Sequence, residues 1–516
     1  MIFHSPHPAV IIPDVSITDY VLRQAARLKN KVALIDGVTG RTYSYADLAQ
    51  RIQQVAAGFA SHGLRKGDVL AIYSPNVPEY VIAFHAAATL GVATTMVPPL
   101  FTEEETIKQL RDSGAKYLLT VPALMEKART AAAGNNIKTL FVIGEAEDSI
   151  PFESLLNHGS QAPEVETDLD ADIVALPYSS GTTGFPKGVM LTHRNLVAML
   201  RQMESTEPFS ETDTLVCVVP MSHLYGLHIV VNLGLSQGAT IVTVPRYDLE
   251  QFLDVLERYR VTIAPLVPPL VLALTRAPQV QSHDLSALRM IHCGAAPLAD
   301  EIASACRERL GLEIRYGYGM TEVSPLSHAS LVDPEKHKPG SVGFCLPNTE
   351  CKIVDYTTGE DLPPGSEGEI WVRGPQVMKG YLGDTDATEE MIKPNGWLRT
   401  GDIGYCDEDG QLFVVDRLKE LIKTNGRQVA PAELESLLLS YPAIADAAVV
   451  ARPDELAGEV PRAFVVLKKE ATAEEIIQFV AERVAPYKRI REVAFVAEIP
   501  RNPAGKILRR VLKDRN

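Results

Sequence analysis

Residues 178 to 188 of this 516-residue chain read Tyr178-Ser-Ser-Gly-Thr-Thr-Gly-Phe-Pro-Lys-Gly188, a combination suited to wrapping a polyphosphate. Gly181 and Gly184 let the backbone approach closely. The hydroxyls of Ser179, Ser180, Thr182 and Thr183 donate hydrogen bonds beside the amides, and Lys187 supplies charge. A Gly-Ser-rich surface turn has the same composition without needing this order. The loop is not a Walker A loop, which requires Gly-Lys followed by Ser or Thr; here Lys187 lies between Pro186 and Gly188. The apolar run Ile173-Val-Ala-Leu-Pro-Tyr178 predicts a buried strand before the loop. Thr192 and Asn195 open a helix after it, running through Leu196 and Leu200.

Three further clusters carry chemistry-bearing side chains. Tyr316-Gly-Tyr-Gly-Met-Thr-Glu322 packs two glycines, two aromatics, a hydroxyl and a carboxylate into seven positions, where a plain strand-end turn capped by Thr and Glu is the simpler reading. Thr400-Gly-Asp402 stands about fifteen residues ahead of Asp416-Arg417, just before a change of character in the chain. Lys506 sits in Pro503-Ala-Gly-Lys-Ile-Leu, a glycine turn able to project one ammonium into another domain's cleft.

The elements that must position these groups alternate between helix and strand over the first half. Ser44-Tyr-Ala-Asp47 reads as a capping box, followed at helical spacing by Leu48, Ile52, Val55 and Phe59. Strands are expected at Val69–Tyr73, Thr94–Val97, Leu215–Val219, Ile241–Val244 and Ile263–Leu266, with helices at Pro78–Leu90 and Leu249–Arg258. That is the pattern of parallel sheets covered by helices. From about 340 to 415, short β-rich runs between Gly and Pro turns predict an antiparallel barrel or small sheet. A boundary falls near Asp416–Lys419. Beyond it Pro431 opens a helix, Ala447–Val450 and Ala463–Leu467 read as strands, and Ala473–Val484 reads as a helix. The expected fold is α/β: a large N-terminal domain (1–417) of helix-covered sheets with a small β-barrel-like part, then a small mobile α+β domain (418–516).

Bulk properties narrow the function. The net charge of −15 gives nucleic-acid binding no global electrostatic support, so an anionic ligand needs local cations. The six cysteines are scattered without a CxxC pair and read as reduced thiols. No apolar run reaches membrane-spanning length. The first residues lack a basic stretch leading into an apolar core, and the last four are not a peroxisomal address, so the expected compartment is the cytoplasm.

The order of these clusters resembles the acyl-adenylate-forming superfamily of acyl-CoA synthetases, adenylation domains and beetle luciferases, from about residue 15 to the end. The phrases Val415-Asp-Arg-Leu-Lys-Glu-Leu-Ile-Lys423, Gln428-Val-Ala-Pro-Ala-Glu-Leu-Glu435 and Gly505-Lys-Ile-Leu-Arg-Arg510 are most similar to 4-coumarate- and cinnamate-CoA ligases, bacterial ones in particular. The resemblance implies ATP, CoA and Mg²⁺, a small carboxylic acid as partner, and no nucleic acid or membrane. In an alternative reading the acid is a medium-chain fatty acid, or the acceptor thiol belongs to a carrier protein. It implies that the 179–184 loop and Lys187 hold ATP phosphates and that Tyr316 and Gly317 lie near adenine. Tyr318 would stack on adenine, Thr321 bind the α-phosphate, Glu322 hold Mg²⁺, and Asp402 with Arg417 take the ribose. Lys506 would bridge the acid and the α-phosphate, Lys419 would be the hinge, and Lys423 with Gln428 would approach the adenylate. His223 would be a gating residue, although a single His is more often structural. Tyr225, Gly226, Gly294, Ala295, Gly319, Met320, Pro325 and Leu326 would form the acid pocket, and Arg246, Asn425 and Gly426 would meet CoA.

Several positions depart from that pattern. Asn425 replaces a lysine expected to help bind CoA, and Arg427 replaces an aromatic. Tyr316 stands for Gln, Cys293 for Ser, and His292 for Lys. The apolar pocket with Tyr225 suits a flat aryl-propenoate.

Overall fold

In the computed structural model the helix Pro78–Thr89 decides the architecture. Its residues from Pro78 to Ala88 are all buried, which a helix achieves only when it is covered on every side. Here it lies between two large sheets, in a core that joins Leu70 and Ile72 of one sheet to Leu34, Leu215 and Ile241 of the other. The capped helix Tyr45–Ser61, the helix His193–Glu204 and the π-helix Tyr225–Asn232 fill the same layer. Separate apolar clusters seat helices on the outer faces, Glu103–Ser113 and Met125–Ala133 on one sheet, and Leu249–Arg258, Pro268–Arg276 and Asp300–Leu310 on the other. The structure describes residues 1–513 apart from 158–160, 180–185, 207–208, 297, 299, 331–337, 425–426, 455 and 502–506, and the backbone alone of 427–428.

Among the described residues the strands form four sheets. The first has a parallel centre of Val69–Tyr73, Ala93–Val97, Tyr117–Thr120 and Thr139–Val142. The second runs parallel through Val32–Asp36, Thr240–Thr243, Thr214–Cys217, Ile263–Leu266, Met290–Cys293 and Glu313–Tyr318. The third is antiparallel and five-stranded, with Glu350–Val354, Gly368–Arg373 and Leu398–Cys406 between the edges Phe3–His4 and Leu412–Arg417. The fourth is built on the long hairpin Ile444–Asp454 and Gly458–Leu467, backed by the helices Pro431–Leu439 and Ala473–Ala481. The α/β plan with a small C-terminal α+β domain is therefore as the sequence reading expects.

Three local readings need correction. The polyphosphate loop does not lead straight into a helix: Lys187 opens a strand, Lys187–Thr192, antiparallel to both Tyr178–Ser179 and Ile173–Ala175. The helix follows, with the Thr192 side chain accepting from Asn195 N and the Asn195 side chain returning to Thr192 N. The helix expected to reach Val484 stops at Ala481. The terminal strand Phe3–His4, paired with Cys351 and Glu350, was not foreseen, because two residues carry no periodicity.

Arg417 ends the third sheet and Ile422 begins the next strand, in the fourth. Across this junction the buried Asp416 carboxylate accepts from Ala432 N at 2.9 Å. The helix Pro431–Leu439 has Ala430 at its cap position, with no side chain to satisfy its amides, and Asp416 does so from the preceding sheet.

Candidate active site

Side chains that matter follow the carboxyl ends of the second sheet's parallel strands, where open α/β sheets leave a crevice. Tyr225 comes after Thr214–Cys217, Gly294 after Met290–Cys293, and Glu322 after Glu313–Tyr318.

Beside the 178–188 loop, the buried Glu322 carboxylate accepts from Ser179 Oγ at 2.5 Å and from Tyr381 OH at 2.9 Å, both on Oε1. Tyr381 reaches it because Gly380–Tyr381 pairs antiparallel with Met190 and Val189 of the strand that Lys187 opens. Lys187 Nζ lies 2.9 Å from Asp384 Oδ2 and 5.4 Å from the centre of the Tyr381 ring. That contact holds the Asp384 carboxyl below its usual range. Burial, with Glu322 beside it, pushes the Tyr381 phenol far up, so it stays a donor. The sequence reading missed Tyr381 and Asp384. Their signal was Gly380-Tyr-Leu-Gly-Asp384, which repeats the glycine, aromatic and carboxylate types of 316–322.

At the edge of the third sheet, Asp402 is buried, with Arg417 Nε 3.3 Å from Oδ1 and Tyr318 OH donating to Oδ2 at 2.8 Å. Asp402 and Arg417 are direct cross-strand partners. Tyr318 thus has a polar role that the sequence did not suggest. Tyr316 is the register partner of Cys293, and burial pushes its phenol up to about 12.

The residues expected to line the acid pocket group around Tyr225. The π-helix starts at Tyr225, and such turns re-aim side chains at functional sites. The Tyr225 hydroxyl donates to His292 O at 2.6 Å and stands 3.2 Å from Leu266 O. Gly294 faces this ring: a Cβ there would come within 3.3 Å of it. Gly226 and Gly319 serve the backbone instead, since a Cβ would meet Pro220 O at 2.4 Å and Pro325 O at 2.1 Å. Met320 and Pro325 are half-buried, Leu326 is buried, and Ala295 adopts positive φ. Burial, then the Arg315 charge, holds His292 down to about 4, and burial pushes the Cys293 thiol up to about 12. Both are neutral at neutral pH.

The remaining expected residues are placed as follows. His223 is half-buried in the turn ahead of the π-helix, with its amide bonded to Pro220 O. Gly317 and Thr321 flank Tyr318 and Glu322 in chain order, with Thr321 opening a 3-10 turn. Arg246 is exposed after the strand Thr240–Thr243. Lys423 and Gln428 are Cα partners across a short hairpin, and Lys423 shares a cavity wall with Lys187 and Lys419. Lys419 is therefore at the cleft as well as at the junction. Its ammonium is held low by partial desolvation and by Arg417, against the pull of Glu420, Asp402 and Glu322. Ser180, Gly181, Thr182, Thr183, Gly184, Asn425, Gly426 and Lys506 lie outside the described residues.

A loop lysine, a buried carboxylate and an Asp–Arg pair near one another call for comparison with known enzymes. The AMP-binding enzyme family matches residues 21–382, and the AMP-binding enzyme C-terminal domain matches 433–506. The chain belongs to the AMP-binding enzyme family. It is 44% identical to 4-coumarate–CoA ligase 2 of Petroselinum crispum, over 99% of this chain and 96% of that protein. Among solved structures, ATP-bound MatB from Rhodopseudomonas palustris superposes with a TM-score of 0.89 at 27% identity, covering 97% of this chain and 99% of that one. The o-succinylbenzoate CoA synthetase of Bacillus subtilis, in complex with its acyl-adenylate, gives 0.84 at 32% identity, covering 96% and 98%. This two-domain AMP-binding fold thus extends along nearly the whole chain.

Proposed function

We propose that this enzyme activates an aryl-propenoic acid, such as 4-coumarate or cinnamate, as its acyl-adenylate and transfers the acyl group to CoA. The class is an AMP-forming acid–CoA ligase, by family membership and by full-length likeness to 4-coumarate–CoA ligases. For the acid, the supporting observation is the neutral pocket. Tyr225 is tied to backbone carbonyls, His292 and Cys293 are uncharged, and Gly294 sets no side chain against the Tyr225 ring. A flat, uncharged aromatic tail suits such walls.

In the first half-reaction a carboxylate oxygen of the acid bonds to the α-phosphorus of ATP. The bond from that phosphorus to the bridging oxygen breaks, and pyrophosphate leaves. The thiol sulfur of CoA then bonds to the acyl carbon and AMP leaves. The first step needs positioning and charge neutralisation more than a base. Lys187 would meet the outer phosphates, Lys506 would join the acid to the α-phosphate, and Asp402 with Arg417 would hold the ribose. Thr321 would meet the α-phosphate. Glu322 fits a Mg²⁺ that arrives with ATP: it is a hard carboxylate among hydroxyl donors, and no group of three or more His, Cys, Asp or Glu forms a metal cage among the described residues. When bound, that ion neutralises charge on the phosphate oxygens.

We assign the two domains to 1–417 and 418–516, supported by the change of sheet between Arg417 and Ile422. The second would rotate about Lys419 between half-reactions, exchanging Lys506 for Lys423 and Gln428 at the adenylate. His223 would gate the acid, and Arg246 with the 425–426 tip would meet CoA. A cytoplasmic location is supported by six buried free cysteines. Acid-dependent AMP release with MgATP and CoA tests the reading, across cinnamate, 4-coumarate, caffeate, benzoate and octanoate. Turnover confined to the aryl-propenoates is expected; turnover best with octanoate would overturn the choice of acid.

A further inference from the structure

Within the central layer, four helices are joined by one chain of buried polar side chains. Thr18 Oγ1 lies 3.1 Å from His85 Nδ1, and His85 Nε2 lies 3.2 Å from Asn232 Oδ1. Asn232 Nδ2 lies 3.1 Å from His228 Nδ1, and His228 Nε2 lies 3.0 Å from Leu196 O. Thr18 belongs to the helix Ile17–Leu22 and His85 to Pro78–Thr89. Asn232 and His228 belong to the π-helix, and Leu196 to His193–Glu204.

The Leu196 end fixes every proton along this chain. A carbonyl only accepts, so His228 carries its proton on Nε2. Burial holds the His228 ring down to about 3 and the His85 ring down to about 4, so both are neutral at neutral pH. A neutral His228 then offers Nδ1 as an acceptor, and Asn232 turns its NH₂ towards it. Asn232 Oδ1 is left facing His85, which donates from Nε2 and accepts from Thr18 on Nδ1. The reversed amide would require a second proton on His228, so neutral rings allow one orientation only.

The π-helix gains its register from this chain. Gly226 to Asn232 are all buried, and Leu227, Ile229, Val230 and Val231 among them are apolar. Apolar packing of such similar side chains discriminates weakly between neighbouring registers. A slip of one position would carry His228 off Leu196 O and Asn232 off His85, leaving buried polar groups unmet. Tyr225 opens the π-helix, and its hydroxyl is already tied to His292 O and Leu266 O. The ring is thus held by the second sheet at one end and by the π-helix at the other.

We propose that His228 is a positioning residue for the acid: through the chain from Thr18 to Leu196 it sets the register of the π-helix, and so the stand of the Tyr225 ring against Gly294. The assignment rests on the reading of Tyr225 as a pocket wall in an acid-activating enzyme. His228 acts through Tyr225 and takes no part in bond making.

The test measures KM for cinnamate and for ATP in acid-dependent exchange of pyrophosphate into ATP by the full-length enzyme, with thermal unfolding to check each variant. His228→Leu removes both bonds of the ring. It is expected to raise the KM for cinnamate about tenfold, within the size of two net hydrogen bonds, with the KM for ATP unchanged. His228→Gln keeps a donor for Leu196 O and is expected to recover most of that loss. Thr18→Val, a milder change at the far end, is expected to raise the KM for cinnamate about twofold. Equal rises for cinnamate and ATP, or a KM for cinnamate unchanged in both His228→Leu and Thr18→Val, would overturn the role. Heteronuclear NMR of the enzyme labelled in its histidine ring nitrogens reads the chain directly. The signal lost in His228→Gln is expected from a ring protonated on Nε2 alone at neutral pH, and a proton on Nδ1 would overturn the chain. Absence of exchange by the unaltered enzyme with any acid would instead overturn the adenylation reading, and the role of His228 with it, whatever the NMR signal shows.

Discussion

The proposed nucleotide end and the proposed acyl end of this site stand on neighbouring strands, Glu313–Tyr318 and Met290–Cys293, yet they surround their polar groups differently. Around the expected nucleotide residues, buried carboxylates are ringed by polar partners: Glu322 accepts from two hydroxyls, and Asp402 has Arg417 and Tyr318. At the acyl end, the titratable groups are driven neutral, His292 to about 4 and Cys293 to about 12. Desolvation decides the state of His292 and Cys293. One crevice can thus hold a polyanion and an uncharged ring within a few residues of each other.

The largest test of this contrast is Glu322→Gln. It keeps the shape and removes the charge, so adenylation should fall about a hundredfold or more, the cost of about 3 kcal/mol for one preorganised electrostatic partner. Binding of the free aryl acid, followed by equilibrium titration, should barely change. An equal loss in both would show that the two ends are not separate.

The acyl end is best probed through stability. His292 binds a proton in the unfolded chain below about 6.5 but in the fold only near 4. Between those values the unfolded state holds more protons, so stability falls as pH falls, by about 1.4 kcal/mol per pH unit for each such group. His85 and His193, also held near 4 by burial, add to the same slope. Urea unfolding from pH 7 to pH 5 should show this decline, and His292→Gln should remove about 2 kcal/mol of it. A slope unchanged in that variant would contradict the neutral histidine.

How much of this contrast was legible in the sequence depends on spacing. Ser44 with Asp47 and Thr192 with Asn195 were readable because local caps leave short, ordered signatures, whereas Asp402 with Arg417 was implied only by the family resemblance. The alternation of helix and strand gave the parallel sheets. Tyr381 was not readable: its contact with Glu322 spans 59 positions and depends on strand pairing between Gly380–Tyr381 and Val189–Met190. Lys419 was read as a junction residue only, since its approach to the cleft comes from how the two domains sit. The neutrality of His292 was equally hidden, because burial is a property of the packed layer around it.

Tyr381→Phe sharpens the nucleotide side further. It removes one of two donors to Glu322 while leaving the ring beside Lys187, and a hydrogen bond to a charged group is worth about 1.5 kcal/mol or more. About a tenfold fall in kcat/KM for ATP is expected, with the KM for the acid unchanged. A change confined to the acid would assign Tyr381 to the other end.

The smallest effect expected is at Asp384. In this structure it holds Lys187 at 2.9 Å, the same ammonium that ATP phosphates would need. Asp384 is about two-fifths exposed, so the pair is screened and worth less than about 1 kcal/mol. Binding of ATP must exchange that contact for a phosphate, and Asp384→Asn removes the competitor while keeping the cap on Ala387 N. The KM for ATP should then fall by about twofold, in the opposite direction from Tyr381→Phe and Glu322→Gln. A rise instead would mean that Asp384 orients Lys187 for the phosphate rather than competing for it, and both carboxylates at this end would then be supports of the bound state.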